Sequence, residues 1–126
     1  MTYKPTSAEL EILQVLWRAK SASVREVHET LSVSKDTGYT TTLKLMQNMH
    51  AKGMLDRKEE GRSHIYHPLI SESETQNSLV KSFMGATFGG SSKKLVMKAL
   101  GQSQPSKEEI IEIRKFLDQL ENNPNN

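Results

Sequence analysis

Thr40, Thr41, Lys44, Gln47 and Asn48 bring hydroxyl, ammonium and amide groups together within one short stretch. At about 100° per residue they gather on one side of a helix. The set offers hydrogen-bond donors and acceptors, a single charge and no carboxylate, which is the chemistry needed to meet base edges in a groove of DNA. On the other side Tyr39, Leu43, Met46 and His50 recur at helical spacing and predict one inward stripe. Gly53 stands where a helix C-cap is expected. An ordinary amphipathic helix with a solvated polar face has the same pattern, so the surrounding elements must decide.

Other chemistries find less support. The four histidines are His28, His50, His64 and His67. His64 and His67 are three apart on a predicted strand and point to opposite faces, while His50 lies on the inward stripe, so no metal site is expected. There is no cysteine, hence no disulfide framework, thiolate ligand or cysteine nucleophile. No carboxylate pair, Ser–His–Asp set or Gly-rich phosphate loop stands at usable spacing, so neither an enzyme nor a cofactor is expected. No apolar run reaches the roughly 18 residues that span a bilayer. Met1-Thr2-Tyr3-Lys4-Pro5 lacks a signal-peptide core, and the cytoplasm is the expected compartment. The net charge of +2 is too small for a basic nucleic-acid coat. Residues 1–70 hold ten Lys/Arg against eight Asp/Glu, and residues 71–126 hold seven of each, so the slight excess lies in the half with the polar-faced helix.

The elements that must position that helix are legible from their punctuation. Thr6 or Ser7 can cap a first helix, with Glu9 in its first turn, where a negative charge suits the dipole. Leu10, Leu13, Leu16 and Trp17 give its core face, with Ile12 flanking. Ser23-Val24-Arg25-Glu26 is a capping box opening a second, short helix with Val24, Val27 and Leu31 inward. The polar turn Ser32–Lys35 leads to the helix over 37–52, completing a helix-turn-helix order. After Gly53 the period changes: Met54–Glu59 and Arg62–Leu69 read as two strands, with Glu60-Gly61 as the turn. Leu55, Ile65, Tyr66 and Leu69 are the side chains available to pack this hairpin on the helices, and Arg57, Lys58 and Arg62 place cations beside its turn. A basic-tipped hairpin after a candidate recognition helix is the wing of a winged helix. A winged-helix protein-interaction module that does not bind DNA is the alternative, and the basic hairpin argues against it.

Residues 71–126 form a separate helical unit. Ser71–Glu74 is a further capping box, followed by Leu79, Val80, Phe83, Met84 and Phe88 at helical spacing and by Gly89-Gly90 as a stop. Ser91 or Ser92 opens the next helix, with Leu95, Val96 and Leu100 apolar and Gly101 as its expected end. Ser106–Glu109 is another capping box, and Ile110, Ile113, Leu117 and Leu120 run at seam spacing with Phe116 alongside. Asn122–Asn126 is expected to be disordered. So much apolar surface on three short helices calls for a symmetric homodimer, with Phe83, Leu95, Ile110, Ile113, Leu117 and Leu120 in the interface.

These pieces together resemble the penicillinase-repressor family of β-lactamase and methicillin-resistance gene repressors. The resemblance rests on Leu10 to Trp17, Tyr39-Thr40-Thr41 with Leu43 and Met46, Lys52-Gly53-Met54-Leu55, and Gly61-Arg62 leading to Tyr66 and Pro68. In the second half it rests on Phe88-Gly89-Gly90-Ser91, Leu95-Val96, and Ser106–Ile110 leading to Leu117. It implies a mostly α fold with a small β-hairpin: a winged helix-turn-helix over 1–70, then a three-helix dimerisation domain over 71–126. It implies a homodimeric repressor on a palindromic double-stranded operator, controlling β-lactamase-type resistance or a related stress response. The implied DNA contacts are Thr40 and Thr41 at the start of the recognition helix and Arg62 on the wing. Gln47, Lys44, Asn48, Lys58 and the Tyr39 hydroxyl complete the candidate set. In antibiotic-responsive members a sensor protease triggers a cut at an Asn–Phe bond, which aligns with Lys98-Ala99 here, so the resemblance does not carry that cut over. Copper-responsive members have paired cysteines, which this chain lacks.

Overall fold

Three reciprocal capping boxes set the starts of three helices in the computed structural model, which describes residues 4–123. The first helix, α1 (Ser7–Ala19), opens on Thr6, whose hydroxyl accepts from the Glu9 backbone N–H while the Glu9 carboxylate accepts from Thr6 N–H. Ser23 and Glu26 do the same for α2 (Val24–Leu31). The recognition-type helix α3 (Tyr39–Ala51) begins on Gly38 with no side-chain cap. It ends as a glycine stop should. Gly53, at φ +85°, lets Met54 N–H reach Met49 C=O and Gly53 N–H reach His50 C=O, the paired bonds of a Schellman motif.

A short strand β1 (Ala22–Ser23) precedes α2, and β2 (Leu55–Glu60) and β3 (Ser63–Pro68) follow α3. They form one antiparallel sheet in the order β1-β3-β2. The hairpin loop is Gly61-Arg62 rather than the expected Glu60-Gly61, because Glu60 pairs with Ser63. Gly61 takes φ +64° while Arg62 does not, the pattern of a type II′ turn. Arg62 therefore stands at the tip of the wing, not on its strand. Leu55 and Tyr66 are buried and Ile65 is half-buried, but Leu69 is exposed. It lies past the last ladder pair, and its backbone N–H is held by Met54 C=O while the side chain turns outward.

The core joins α1, α2, α3 and the sheet through Ile12, Leu13, Leu16, Val27, Met46, Met49, Leu55 and Tyr66. Ile12 is central to it, not flanking. Trp17 is half-buried and donates its indole N–H to Ile70 C=O at 3.0 Å, pinning the exit of the hairpin to α1.

One charge is enclosed with this core. The Glu9 side chain is almost wholly buried, and its second oxygen accepts from Lys52 Nζ at 2.9 Å. Burial by itself would raise its pKa. The hydrogen bonds from Thr6 and Lys52 and the Lys52 charge outweigh that and hold the carboxyl below its ordinary 4.5. A carboxylate favoured in the folded state stabilises the fold fully above the ordinary value, and that contribution drains away as the pH falls from 4.5 through the lower folded value. Glu9→Gln keeps the cap but loses the ion pair. Because Lys52 is half-exposed, it is expected to cost about 1 kcal/mol near neutral pH. The difference from the wild type should shrink on acidification, and denaturant titrations at neutral and acid pH check it. An unchanged difference would detach the effect from this carboxylate.

The remaining helices are α4 (Glu72–Phe88), α5 (Ser92–Ser103) and α6 (Lys107–Asn122). Glu74 N–H donates to Ser71 Oγ at the start of α4, and Ser106 and Glu109 form the reciprocal box of α6. Gly89 and Gly90 both take positive φ after α4. Gly101 does not end α5, which runs to Ser103 with Gln104 left-handed behind it. A single Gly costs about 1 kcal/mol inside a helix, and Pro105 supplies the stronger stop. Asn122 closes α6 and Asn123 is its C-cap, so only residues 124–126 of the expected disordered tail lie outside the described residues. The chain divides into two compact units between Lys81 and Ser82. Among the described residues, no helix is long and apolar enough to cross a membrane.

In the second unit, no residue of α5 or α6 is buried. Phe83, Ile110, Leu117 and Leu120 are exposed, and Leu95 and Ile113 are half-buried. Val96, Met97, Ile111 and Phe116 add further exposed apolar surface.

Candidate nucleic-acid interface

Helix α3 is turned about 60° from the orientation that its apolar spacing predicts. Thr42, Met46 and Met49 are the residues it buries. Leu43 and His50 are half-buried, and Tyr39 is exposed. The physical reason lies on α2. His28 Nδ1 stands 3.4 Å from Thr42 Oγ1, which gives the buried hydroxyl a partner, and its ring meets Tyr39 edge-on at 5.6 Å. Tyr39 is thereby held at the flank of α3, outside the core. His50 meets the Tyr66 ring at 6.4 Å, between α3 and the sheet.

The opposite face keeps its predicted content. Thr40, Thr41, Lys44, Gln47 and Asn48 are all exposed. Wing residues Lys58 and Arg62 are exposed as well. Arg57 is half-buried and donates to the Tyr66 hydroxyl at 3.3 Å, so it braces β2 against β3. Neither Lys44, Lys58 nor Arg62 is ion-paired among the described residues. Their charge is available to an outside anion. His67 lies 3.9 Å from the Asp56 carboxylate across the hairpin, on a different face from His64. No group of three or more potential ligands that could hold a metal is found among the described residues.

Between the start of α2, the flank of α3 and the wing lies a cleft of about 290 Å³. Arg25, Tyr39, Gln47, Arg62 and His64 are on its wall, with no carboxylate among the lining residues. Sequence reasoning assigned neither Arg25 nor His64 to the site. Arg25 sits inside a capping box and reads there as a solvated helix residue; nothing in its neighbourhood along the chain announces the wing.

The arrangement is a hydrogen-bonding helix face flanked by a hairpin that exposes Lys58 and Arg62 beside Glu59 and Glu60 at its tip, carried on α1, α2 and the sheet. Comparison with known proteins agrees with it. The chain is 30% identical over 117 residues to the methicillin resistance regulatory protein MecI of Staphylococcus aureus, covering 93% of this chain and 95% of that protein. It is 31% identical over 117 residues to the penicillinase repressor of Bacillus licheniformis, covering 93% and 91%. Its fold matches the solution structure of the DNA binding domain of the repressor BlaI with a TM-score of 0.52 and 32% identity, over 59% of this chain and 93% of that one. It also matches monomeric Bacillus licheniformis BlaI in complex with the blaP half-operator, with a TM-score of 0.51 and 31% identity over 59% and 90%. The penicillinase repressor family matches residues 5–119, and the chain belongs to that family.

Proposed function

We propose that this chain is a homodimeric transcriptional repressor that binds a palindromic operator in double-stranded DNA and controls β-lactamase-type resistance or a related stress response. The observation that carries this reading is the exposed, carboxylate-free polar face of α3 beside an unpaired Arg62, on a fold shared with a BlaI–half-operator complex. Residues 1–70 read DNA, and residues 71–126 join two copies. Two α3 helices then enter successive major grooves about one helical turn or a small multiple apart. Thr40, Thr41, Lys44, Gln47 and Asn48 meet base edges and nearby phosphates, Arg62 and Lys58 hold the flanking backbone, and the Tyr39 hydroxyl borders it. An inactivating partner, of which a sensor protease is one form, completes the cycle. Lys98 and Ala99 are exposed but lie inside α5, so a cut at that bond requires local unwinding first.

The test is a contrast between two kinds of substitution, measured on duplex DNA from the protein's own upstream region across a salt series. Arg62→Ala is expected to weaken binding to every sequence alike and to flatten the plot of log affinity against log salt by about one unit. Asn48→Ala or Lys44→Ala is expected to alter base preference instead, by roughly 1–3 kcal/mol at one position. Binding that is absent, or indifferent to salt, would return the chain to the protein-interaction class.

A further inference from the structure

The cleft beside α3 has the chemistry of an anion site that the helix face and wing tip do not account for. Arg25 enters it from the first turn of α2. Its guanidinium carbon lies 5.7 Å from the centroid of the Tyr39 ring. The same ring is braced edge-on by His28 at 5.6 Å and 84°. A cation held over an aromatic face gives up little of its remaining freedom when it binds an outside group, and its N–H donors stay free at the rim. Arg25 forms no ion pair among the described residues, and neither does Arg62, which faces the cleft from the wing. Two unpaired guanidinium groups and an imidazole around one concavity, with no carboxylate on its wall, favour a singly or doubly charged oxyanion. Gln47 belongs to both the cleft wall and the exposed face of α3. An anion in the cleft would thus sit next to the face of α3 that the proposed function turns to DNA, where a backbone phosphate would pass.

We propose that Arg25, positioned by Tyr39, contacts a DNA phosphate in this cleft, so that α2 and the wing grip the backbone at either side of α3. This rests on the reading of the chain as a DNA-binding protein and adds a contact which that reading lacks. Tyr39 is then a positioning residue for Arg25 as well as a neighbour of the backbone.

The experiment uses the full chain and a duplex of arbitrary sequence, since a phosphate contact is independent of the bases. Arg25→Ala is expected to flatten the salt slope by about 0.9, so the affinity ratio of wild type to variant shrinks about three- to fourfold between roughly 50 and 200 mM salt. Arg25→Lys keeps the charge and is expected to restore the slope. Tyr39→Leu is expected to lower the slope as Arg25→Ala does, and the double variant Arg25→Ala/Tyr39→Leu to lose no more than either single one. Far-ultraviolet circular dichroism confirms that each variant is folded; Arg25 is exposed, so the Arg25 pair decides the matter even where Tyr39→Leu is unstable. If Arg25→Ala keeps the wild-type slope while Arg62→Ala loses its unit, the proposal is wrong and DNA binding stands. If the wild type itself shows no salt-dependent binding, both fall together. If inorganic phosphate shifts the Arg25 side-chain resonances while the DNA slope of Arg25→Ala is unchanged, the cleft holds a free anion and the assignment to DNA is overturned.

Discussion

Replacing Leu117 by Glu is expected to yield monomers and to weaken binding to a full operator by about 100- to 10,000-fold, while binding to a half-site is retained. The size follows from avidity: a dimer presents its second recognition helix at high effective concentration once the first is bound, and a monomer does not. Leu117 is 53% exposed, and Phe116 beside it is 58% exposed. Ile110 and Leu120 are exposed on the same seam, and Ile113 between them is half-buried. On another helix of this unit, Val96 and Met97 are also open to solvent. An exposed apolar stripe of this kind suits association with a second surface, and a glutamate placed within it must either lose its water or keep the surfaces apart. Glu is a good helix former, so α6 itself should persist. Sedimentation velocity reads the oligomeric state and circular dichroism the helicity. A dimer that survives the substitution would place the interface elsewhere.

What was legible in the sequence is what covalent neighbours decide. Thr6 with Glu9, Ser23 with Glu26 and Ser106 with Glu109 are three residues apart, and each pair closes its reciprocal bonds within one turn of backbone. Gly53 and Gly61 adopt the positive φ that their turns require. The exposed face of α3 followed from the same local logic, because Thr40, Thr41, Lys44, Gln47 and Asn48 carry polar groups on one arc.

The buried face of α3 did not follow, and Thr42 shows why. A threonine reads as polar, yet its methyl can pack in a core when its hydroxyl finds a partner, and that partner, His28, lies 14 residues away on another helix. Tyr39 reads as apolar, yet it is drawn to the flank by the same histidine and by Arg25. Period alone cannot weigh contacts made by other elements. The strand β1 was missed for a related reason: two residues carry no alternation, and their identity as a strand comes only from pairing Ala22 with Tyr66 and Ser23 with Ile65. The cleft holding Arg25, Arg62 and His64 is of this kind too, since α2 and the wing meet there only through the fold.

The face of α3 that holds the domain together is the one bearing Thr42, Met46 and Met49. Met49 is fully buried, with Met46 and Leu16 equally so in the same cluster. Met49→Ala removes most of a core side chain and leaves a cavity, at a cost of about 2–5 kcal/mol. For a domain whose total stability is of the order of 5–15 kcal/mol, that is a large share. Each kcal/mol lowers the melting temperature of a small domain by about 4–8 °C, so a fall of at least about 8 °C is expected by calorimetry. Met49→Leu, close in volume, should cost less than about 1.5 kcal/mol. Asn48→Ala, one residue earlier but on the exposed face, should leave the stability within about 0.5 kcal/mol of wild type while changing base preference. The three variants therefore separate holding the helix in place from touching DNA with it. Were Met49→Ala to melt with the wild type while Tyr39→Ala collapsed the domain, the stripe of Tyr39, Leu43, Met46 and His50 would be the true core face. The polar arc would then be turned by about 60°, with Thr41 and Asn48 brought to the middle of the outward face and Thr40 and Gln47 carried to its edge.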